Sequence, residues 1–186
     1  MRVLFIGCVR SSELFLNKLL QMKADIVGVV TKAEAGINAD FVDIGQICEK
    51  NQLDYIYVKN INELESKTYI QQKKPDLILC LGWSQLLDEE ILKIPAEGCI
   101  GFHPAKLPYN RGRHPLIWAL ALGLESTAST FFYMDAHADT GEIVSQRELP
   151  ISYEDDATSL YHKVMNVAVD QLEEIMNCLL YTSDAA

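Results

Sequence analysis

Short apolar runs alternate with helically spaced apolar residues over roughly the first hundred positions of the chain. Five runs read as strands: Val3 to Gly7, Asp25 to Val30, Asp54 to Val58, Asp76 to Leu81 and Cys99 to His103. Between the first two, Leu14, Phe15, Leu19 and Leu20 recur at helical spacing behind Ser11 or Ser12, either of which can cap a helix. The same spacing predicts helices near Asp40 to Lys50 and Ile61 to Gln72. Strands that alternate with helices imply a parallel sheet with right-handed crossovers, so the predicted fold is α/β, a Rossmann-like, open, mostly parallel sheet flanked by helices. Ligands of such sheets bind beyond the carboxyl ends of the strands, and His103 closes the fifth strand on that edge.

The second half reads differently. Arg113 to Gly123 predicts a short helix with Pro115 at its first position and Gly123 at its stop. Thr127 to Met134 and Glu142 to Ile151 are β-branched and aromatic, hence strands, joined by a loop from Asp135 to Gly141 that carries two acids and a histidine. Ser152 to Asp155 resembles a capping box, and Leu160, Val164, Val167, Leu172, Ile175 and Leu179 line one face of a long amphipathic helix. Residues 181–186 follow neither pattern and read as a foreign tail, so a single domain is expected over 1–180, with the natural protein continuing beyond it.

Composition narrows the picture. The 186 residues, 49 % apolar and 23 % charged, suit one globular domain with a sizeable core. No stretch has the roughly 18 apolar residues needed to span a bilayer, and the N-terminus lacks a secretory pattern. The 5 cysteines are widely spaced without a Cys-x-x-Cys pair, which predicts reduced, mostly structural thiols and a cytoplasmic location. No metal-ligand spacing is present, so no metal is expected. A formal charge of -10 opposes loose association with a polyanion and favours a small substrate over nucleic acid or a membrane.

His103 is followed by Pro104-Ala-Lys-Leu-Pro-Tyr-Asn-Arg-Gly112, an ionisable group beside a loop stiffened by two prolines. Taken alone, it reads as a hydrogen-bonded core histidine. Asp139-Thr-Gly141, taken alone, reads as a turn. Together, Gly101 to Gly112, the Pro115 helix and Met134-Asp-Ala-His-Ala-Asp-Thr-Gly-Glu-Ile143 resemble the formyltransferase family that uses 10-formyltetrahydrofolate, over nearly the whole chain. That resemblance implies His103 as the catalytic histidine and Asp139 as the catalytic aspartate. In such chemistry an amine attacks the formyl carbon, an oxyanion forms, and the amine must lose a proton. His103 can donate to the oxyanion, and Asp139 can take up the proton directly or through water.

One position departs from the family. Where its members usually carry Asn two residues before the histidine, this chain has Gly101. A substitute oxyanion donor is expected from Asn110 or from the backbone at Gly101; Asn110 reads equally as a turn residue. The resemblance implies folate binding at Gly82, Trp83 and Ser84 after the fourth strand, at Pro104, and at Asp135 and Ala136 in the later loop. The backbone of Gly82 and Ser84 is the stronger candidate there, because Trp83 is as readily core packing. A Gly-x-Gly-x-x-Gly fingerprint is missing after the first strand, which argues against NAD.

Arg111 and Arg113, near Lys106, form a local basic cluster suited to an acceptor phosphate, or else to pairing with surface acids. His114, His137 and His162 read as surface or capping residues, His137 being close enough in sequence to influence Asp139. The expected acceptor is a small amine, foremost an amino-sugar nucleotide. Methionyl-tRNA is the alternative, set back by the absence of a basic C-terminal domain. A formyl-folate hydrolase, suggested by Gly101, and an inactive folate-binding domain complete the alternatives.

Overall fold

A computed structural model describes residues 1–34 and 39–183. The chain divides into two compact units, Met1–Ile100 and Gly101–Ala186. The first holds β1 (Arg2–Ile6), α1 (Arg10–Gln21), β2 (Asp25–Thr31), α2 (Ile44–Asn51), β3 (Tyr55–Tyr57), α3 (Leu64–Lys73), β4 (Leu77–Cys80) and α4 (Glu89–Leu92). β5 (Cys99–His103) runs across the division, and α5 (Pro115–Ala121), β6 (Ser126–Tyr133), β7 (Ile143–Pro150) and α6 (Ala157–Ser183) follow. The strands form one sheet in the order β3-β2-β1-β4-β5-β6-β7, the mostly parallel α/β architecture that the alternating pattern predicts.

In the first unit β1 pairs in parallel with β2 and β4, and β2 with β3. Val3, Leu4, Phe5 and Ile6 are all fully buried, which explains why β1 is a continuous apolar run rather than an alternating one: helices cover both faces of a parallel sheet. Burying each such side chain contributes about 1.5–3 kcal/mol. The helix starts differ from those predicted. Val9 is the N-cap of α1, and Ser12 sits at its third position, where its hydroxyl accepts from the Val9 amide (3.1 Å) and donates to the Leu81 carbonyl (2.6 Å). Ser12 therefore fastens α1 to the end of β4. α2 begins only after Asp43, whose carboxylate accepts from the Gly45 amide, because residues 40 and 42 are bonded to the backbone of Arg10 and Cys8. Ile61, expected to open α3, is buried ahead of it. The single turn of α4, N-capped by Asp88, has no forewarning in the apolar pattern.

In the second unit β6 and β7 form an antiparallel pair with a register shift between Phe131 and Phe132: Phe131 faces Ser145 and Phe132 faces Ile143, so Val144 is the extra residue of a bulge. α6 packs on this pair through Leu160, Val164, Ala168, Leu172 and Met176, a four-residue repeat that keeps one face against the sheet. Its capping box is Asp156 and Ser159, four positions beyond the predicted pair: each accepts the other's amide, at 2.7 Å and 3.0 Å. Ser152 and Asp155 are bonded just outside. The helix continues through Ser183, into the stretch expected to be a foreign tail; residues 184–186 of that stretch lie outside the described residues.

Cys8, Cys48, Cys80 and Cys99 are free, buried thiols. Burial pushes the Cys48 and Cys99 thiols up to about 12, far from the range of a nucleophile. Among the described residues no helix is long and apolar enough to cross a membrane.

Candidate active site

His103 is the last residue of β5, and the backbone turns sharply after it. Its carbonyl accepts from the Ala105 amide (2.9 Å), Leu107 N–H reaches Ala105 (3.0 Å), and Tyr109 N–H reaches Lys106 (3.0 Å). The Leu107-Pro108 peptide is cis. Asn110 and Gly112 take positive φ, and the segment doubles back over the imidazole. His103 Nε2 lies 2.9 Å from the Asn110 carbonyl oxygen. A carbonyl only accepts, so this bond assigns the ring hydrogen to Nε2 and turns Nδ1 toward Asp139. Nδ1 stands 3.7 Å from Asp139 Oδ2, with the two side chains only 8 % and 19 % exposed.

Asp139 lies between β6 and β7 at φ 56, a left-handed conformation that Asp tolerates better than most residues. The Gly112 amide donates to its Oδ2 at 3.0 Å. The loop after β5 thus touches both members of the pair through backbone groups: a carbonyl on the histidine and an amide on the acid. Asp135 holds the turn from within, its Oδ1 accepting from Thr140 Oγ1 (2.6 Å) and the His137 amide (2.8 Å). Those bonds, with the charges of His137 and Arg111, hold its carboxyl below the usual range. His137 thus acts on Asp135. Gly141 is required by close approach: a β-carbon there would lie 1.6 Å from the Tyr133 carbonyl oxygen, which no side chain allows.

The other predicted residues divide. Asn110 meets His103 through its carbonyl, which cannot stabilise an oxyanion, and its exposed side-chain amide makes no hydrogen bond to the pair. A β-carbon on Gly101 would stand 3.0 Å from Met134 Cγ and from Phe132 Cζ, so apolar side chains fill the space where an Asn would project. Pro104 is half-buried and its carbonyl accepts from Thr127 Oγ1 (3.3 Å); Ala136 is exposed. Lys106 is drawn out of the basic cluster by Glu148 (2.8 Å), whereas Arg111 and Arg113 are exposed and make no ion pair among the described residues.

In the first unit, Gly82 serves the fold directly. It sits at φ 85, and a β-carbon there would come within 2.3 Å of Ser12 Oγ, so its small size lets α1 dock on β4. Ser84 is exposed. Trp83 is the notable neighbour: its ring carries Lys32 Nζ at 4.9 Å from the centroid, and its buried Nε1 has no hydrogen-bond partner. A buried indole N–H without a partner is uncommon, so the ring, set behind the backbone in the sequence-based expectation, carries an unmet donor here. Among the described residues no group of three His, Cys, Asp or Glu side chains gathers as a metal site.

Two residues near the pair escaped sequence reasoning. Thr130 and Gln146 face each other across the β6/β7 register and bond the loop after β5 from behind. No sequence signal sets them apart, since β6 also buries Thr127 and Ser129 and β7 also carries Ser145, Arg147 and Glu148.

Residues 1–176 match the family model described as formyl transferase. The chain is 29 % identical to a methionyl-tRNA formyltransferase of Geobacter sulfurreducens over 184 residues, covering 97 % of this chain and 58 % of that relative's length. It thus spans well under two thirds of the curated relative it matches there. It superposes on a phosphoribosylglycinamide formyltransferase from Bacillus halodurans with a TM-score of 0.84 at 19 % identity, covering 97 % of this chain and 95 % of the other. A sugar 3N-formyl transferase crystallised in the presence of dTDP and 5-N-formyl-THF gives a TM-score of 0.76 at 18 % identity, covering 98 % of this chain and 64 % of the other.

Proposed function

Because the chain belongs to the formyl transferase family, we propose that it forms the catalytic part of an N-formyltransferase that moves a formyl group from 10-formyltetrahydrofolate to an amine. The observation that carries this is the approach of His103 Nδ1 to Asp139 Oδ2 at 3.7 Å, a base and an acid largely shielded from solvent at the end of a strand. The donor supplies a formyl carbon already activated by its bond to nitrogen. Asp139 takes the proton that the attacking amine sheds, directly or through a water. His103 turns its Nε2–H hydrogen bond from the Asn110 carbonyl to the oxyanion that forms on the attacked carbon, keeping its proton. The new C–N bond to the acceptor forms in that attack; as the oxyanion collapses back to a carbonyl the bond to the donor nitrogen breaks, and the proton held by Asp139 passes to that nitrogen, which leaves as tetrahydrofolate. Trp83, with its unpartnered Nε1, fits a ligand rich in acceptors such as a pterin, and the backbone of Gly82 and Ser84 adds further polar groups. Asp135 keeps its turn in shape so that Asp139 is presented. A cytoplasmic location accords with this use of a reduced folate.

For the acceptor, we favour a small amine bearing a phosphate, foremost an amino-sugar nucleotide, because Arg111 and Arg113 stand exposed and make no ion pair among the described residues. The names of the curated relatives support methionyl-tRNA as the second possibility. The decisive experiment incubates the full-length protein with 10-formyltetrahydrofolate and a panel of amines, amino-sugar nucleotides and methionyl-tRNA included, following donor loss and product mass together. Formylated product with one acceptor class is expected. Formate released at the same rate without any amine would favour a hydrolase instead, which the missing Asn at position 101 would also accommodate.

A further inference from the structure

We infer that Thr130 and Gln146 are positioning residues for His103, acting through the backbone of the loop that follows β5. This rests on the formyl-transfer reading above, and adds two residues to it. The loop has no strand partner of its own, so its path must be set by whatever holds its carbonyls. Thr130, fully buried on β6, places Oγ1 2.7 Å from the Ala105 carbonyl oxygen. Gln146, opposite it on β7, places Nε2 3.0 Å from Thr130 Oγ1 and 3.0 Å from the Leu107 carbonyl oxygen.

The directions of these bonds are forced. The Ala105 carbonyl can only accept, so the Thr130 hydroxyl hydrogen points at it; the same oxygen then has only lone pairs left for Gln146, whose amide supplies one hydrogen to Thr130 and the other to Leu107. The result is a one-way chain from Gln146 through Thr130 to Ala105, each bond polarising the next, with a branch to Leu107. Beyond Leu107 the loop turns at Pro108 and delivers the Asn110 carbonyl to His103 Nε2 and the Gly112 amide to Asp139 Oδ2. Both backbone groups that touch the reacting pair therefore hang from the segment that Thr130 and Gln146 clamp. The hydrogen bonds of the two side chains go to this segment and to each other, not to His103 or Asp139, which distinguishes positioning from a part in the proton transfers.

The test uses three substitutions in the full-length protein. Thr130→Val keeps shape and branching but removes the hydroxyl, Gln146→Leu keeps size but removes both donors, and Thr130→Ser restores the hydroxyl. Expected for Thr130→Val and Gln146→Leu alike is a fall in kcat of about ten- to hundredfold, the scale of a small misplacement of a reacting group, with KM for donor and acceptor within about threefold. The His103 ring N–H resonance, protected in the wild type by its bond to Asn110, should shift and exchange faster in both variants. Thr130→Ser should return the rate and the resonance together. Wild-type kcat and an unmoved ring resonance in Gln146→Leu would overturn the inference, even if Thr130→Val failed to fold. His103→Ala, measured alongside, separates the two levels: retained turnover there defeats the formyl-transfer reading, whereas lost turnover there beside an unaffected Gln146→Leu defeats the positioning role alone.

Discussion

Asp139 Oδ2 accepts the Gly112 amide at 3.0 Å while standing 3.7 Å from His103 Nδ1, so one carboxylate oxygen is shared between a loop and an imidazole. The arrangement anchors the acid without using its second oxygen, Oδ1, which stays available to a proton.

That division of labour gives the first expectation. Asp139→Asn keeps an oxygen able to accept from Gly112 but loses the charge, and His103→Ala leaves the Asn110 carbonyl without its donor. Each should lower kcat by about 10²–10⁴-fold, the usual yield of a general acid or base. Thermal unfolding of Asp139→Asn should stay near that of the wild type. Turnover within a factor of about three of wild type in either variant would count against the assigned roles.

Restoring the family's Asn at position 101 should not be a simple repair. With Met134 Cγ and Phe132 Cζ each 3.0 Å from where the β-carbon would stand, Gly101→Asn overfills the site and should cost about 1–3 kcal/mol of stability. Shortening the ring in Gly101→Asn/Phe132→Leu should recover part of this, with a coupling of ~0.5–3 kcal/mol in a denaturation cycle. Strictly additive losses would show that the ring and the new amide do not compete for the same space.

The basic residues should behave unequally. Arg113, exposed and outside any ion pair among the described residues, can meet an acceptor phosphate. Arg113→Ala should raise the acceptor KM about tenfold or more, as losing a charge-assisted hydrogen bond worth ~1.5–3 kcal/mol does. Lys106 is already engaged by Glu148 on the surface, so Lys106→Ala should leave both that KM and the melting temperature close to wild type. Equal effects of the two substitutions on KM would remove the case for a phosphate-bearing acceptor.

Acid stability should report on Asp155. Lys163 first, then the Ser152 amide and the Ser159 hydroxyl, hold its carboxyl well below the ordinary carboxylate range. A folded-state value depressed below the unfolded one means stability that is present above about pH 4 and lost as the pH falls through the folded value. Asp155→Asn should therefore melt below wild type at about pH 7, and the gap should close as the pH is lowered beneath about 4. A gap independent of pH would place the effect in packing rather than in charge.

Much of the framework is legible in the sequence, and the reasons differ by element. β5 can be bounded because Cys99 to His103 is an apolar run that stops at a proline. The Pro115 helix can be bounded because both of its ends carry residues with fixed backbone preferences. The start of α1 is displaced from its expected place because a serine three residues into a helix, bonding backward, looks in sequence like a cap. Lys106 groups with Arg111 and Arg113 in sequence because its partner, Glu148, lies on a strand that pattern alone does not bring alongside. Motif resemblance singles out His103 and Asp139, yet does not foresee that Asn110 offers its carbonyl rather than its amide, since that depends on a positive φ that side-chain identities do not encode.

The single surplus residue at Val144 has an effect beyond β7 itself. Because side chains alternate across a strand, one extra residue inverts which positions look to either side, letting Gln146 and Ile143, of opposite parity, stand level with Thr130 and Phe132 on the neighbouring strand. Excising Val144 would restore a regular ladder and slide the whole hairpin tip by one step, carrying Asp139 away from the imidazole while leaving every chemical group in place. The geometry of the acid is thus metered by a spacer in an adjacent strand.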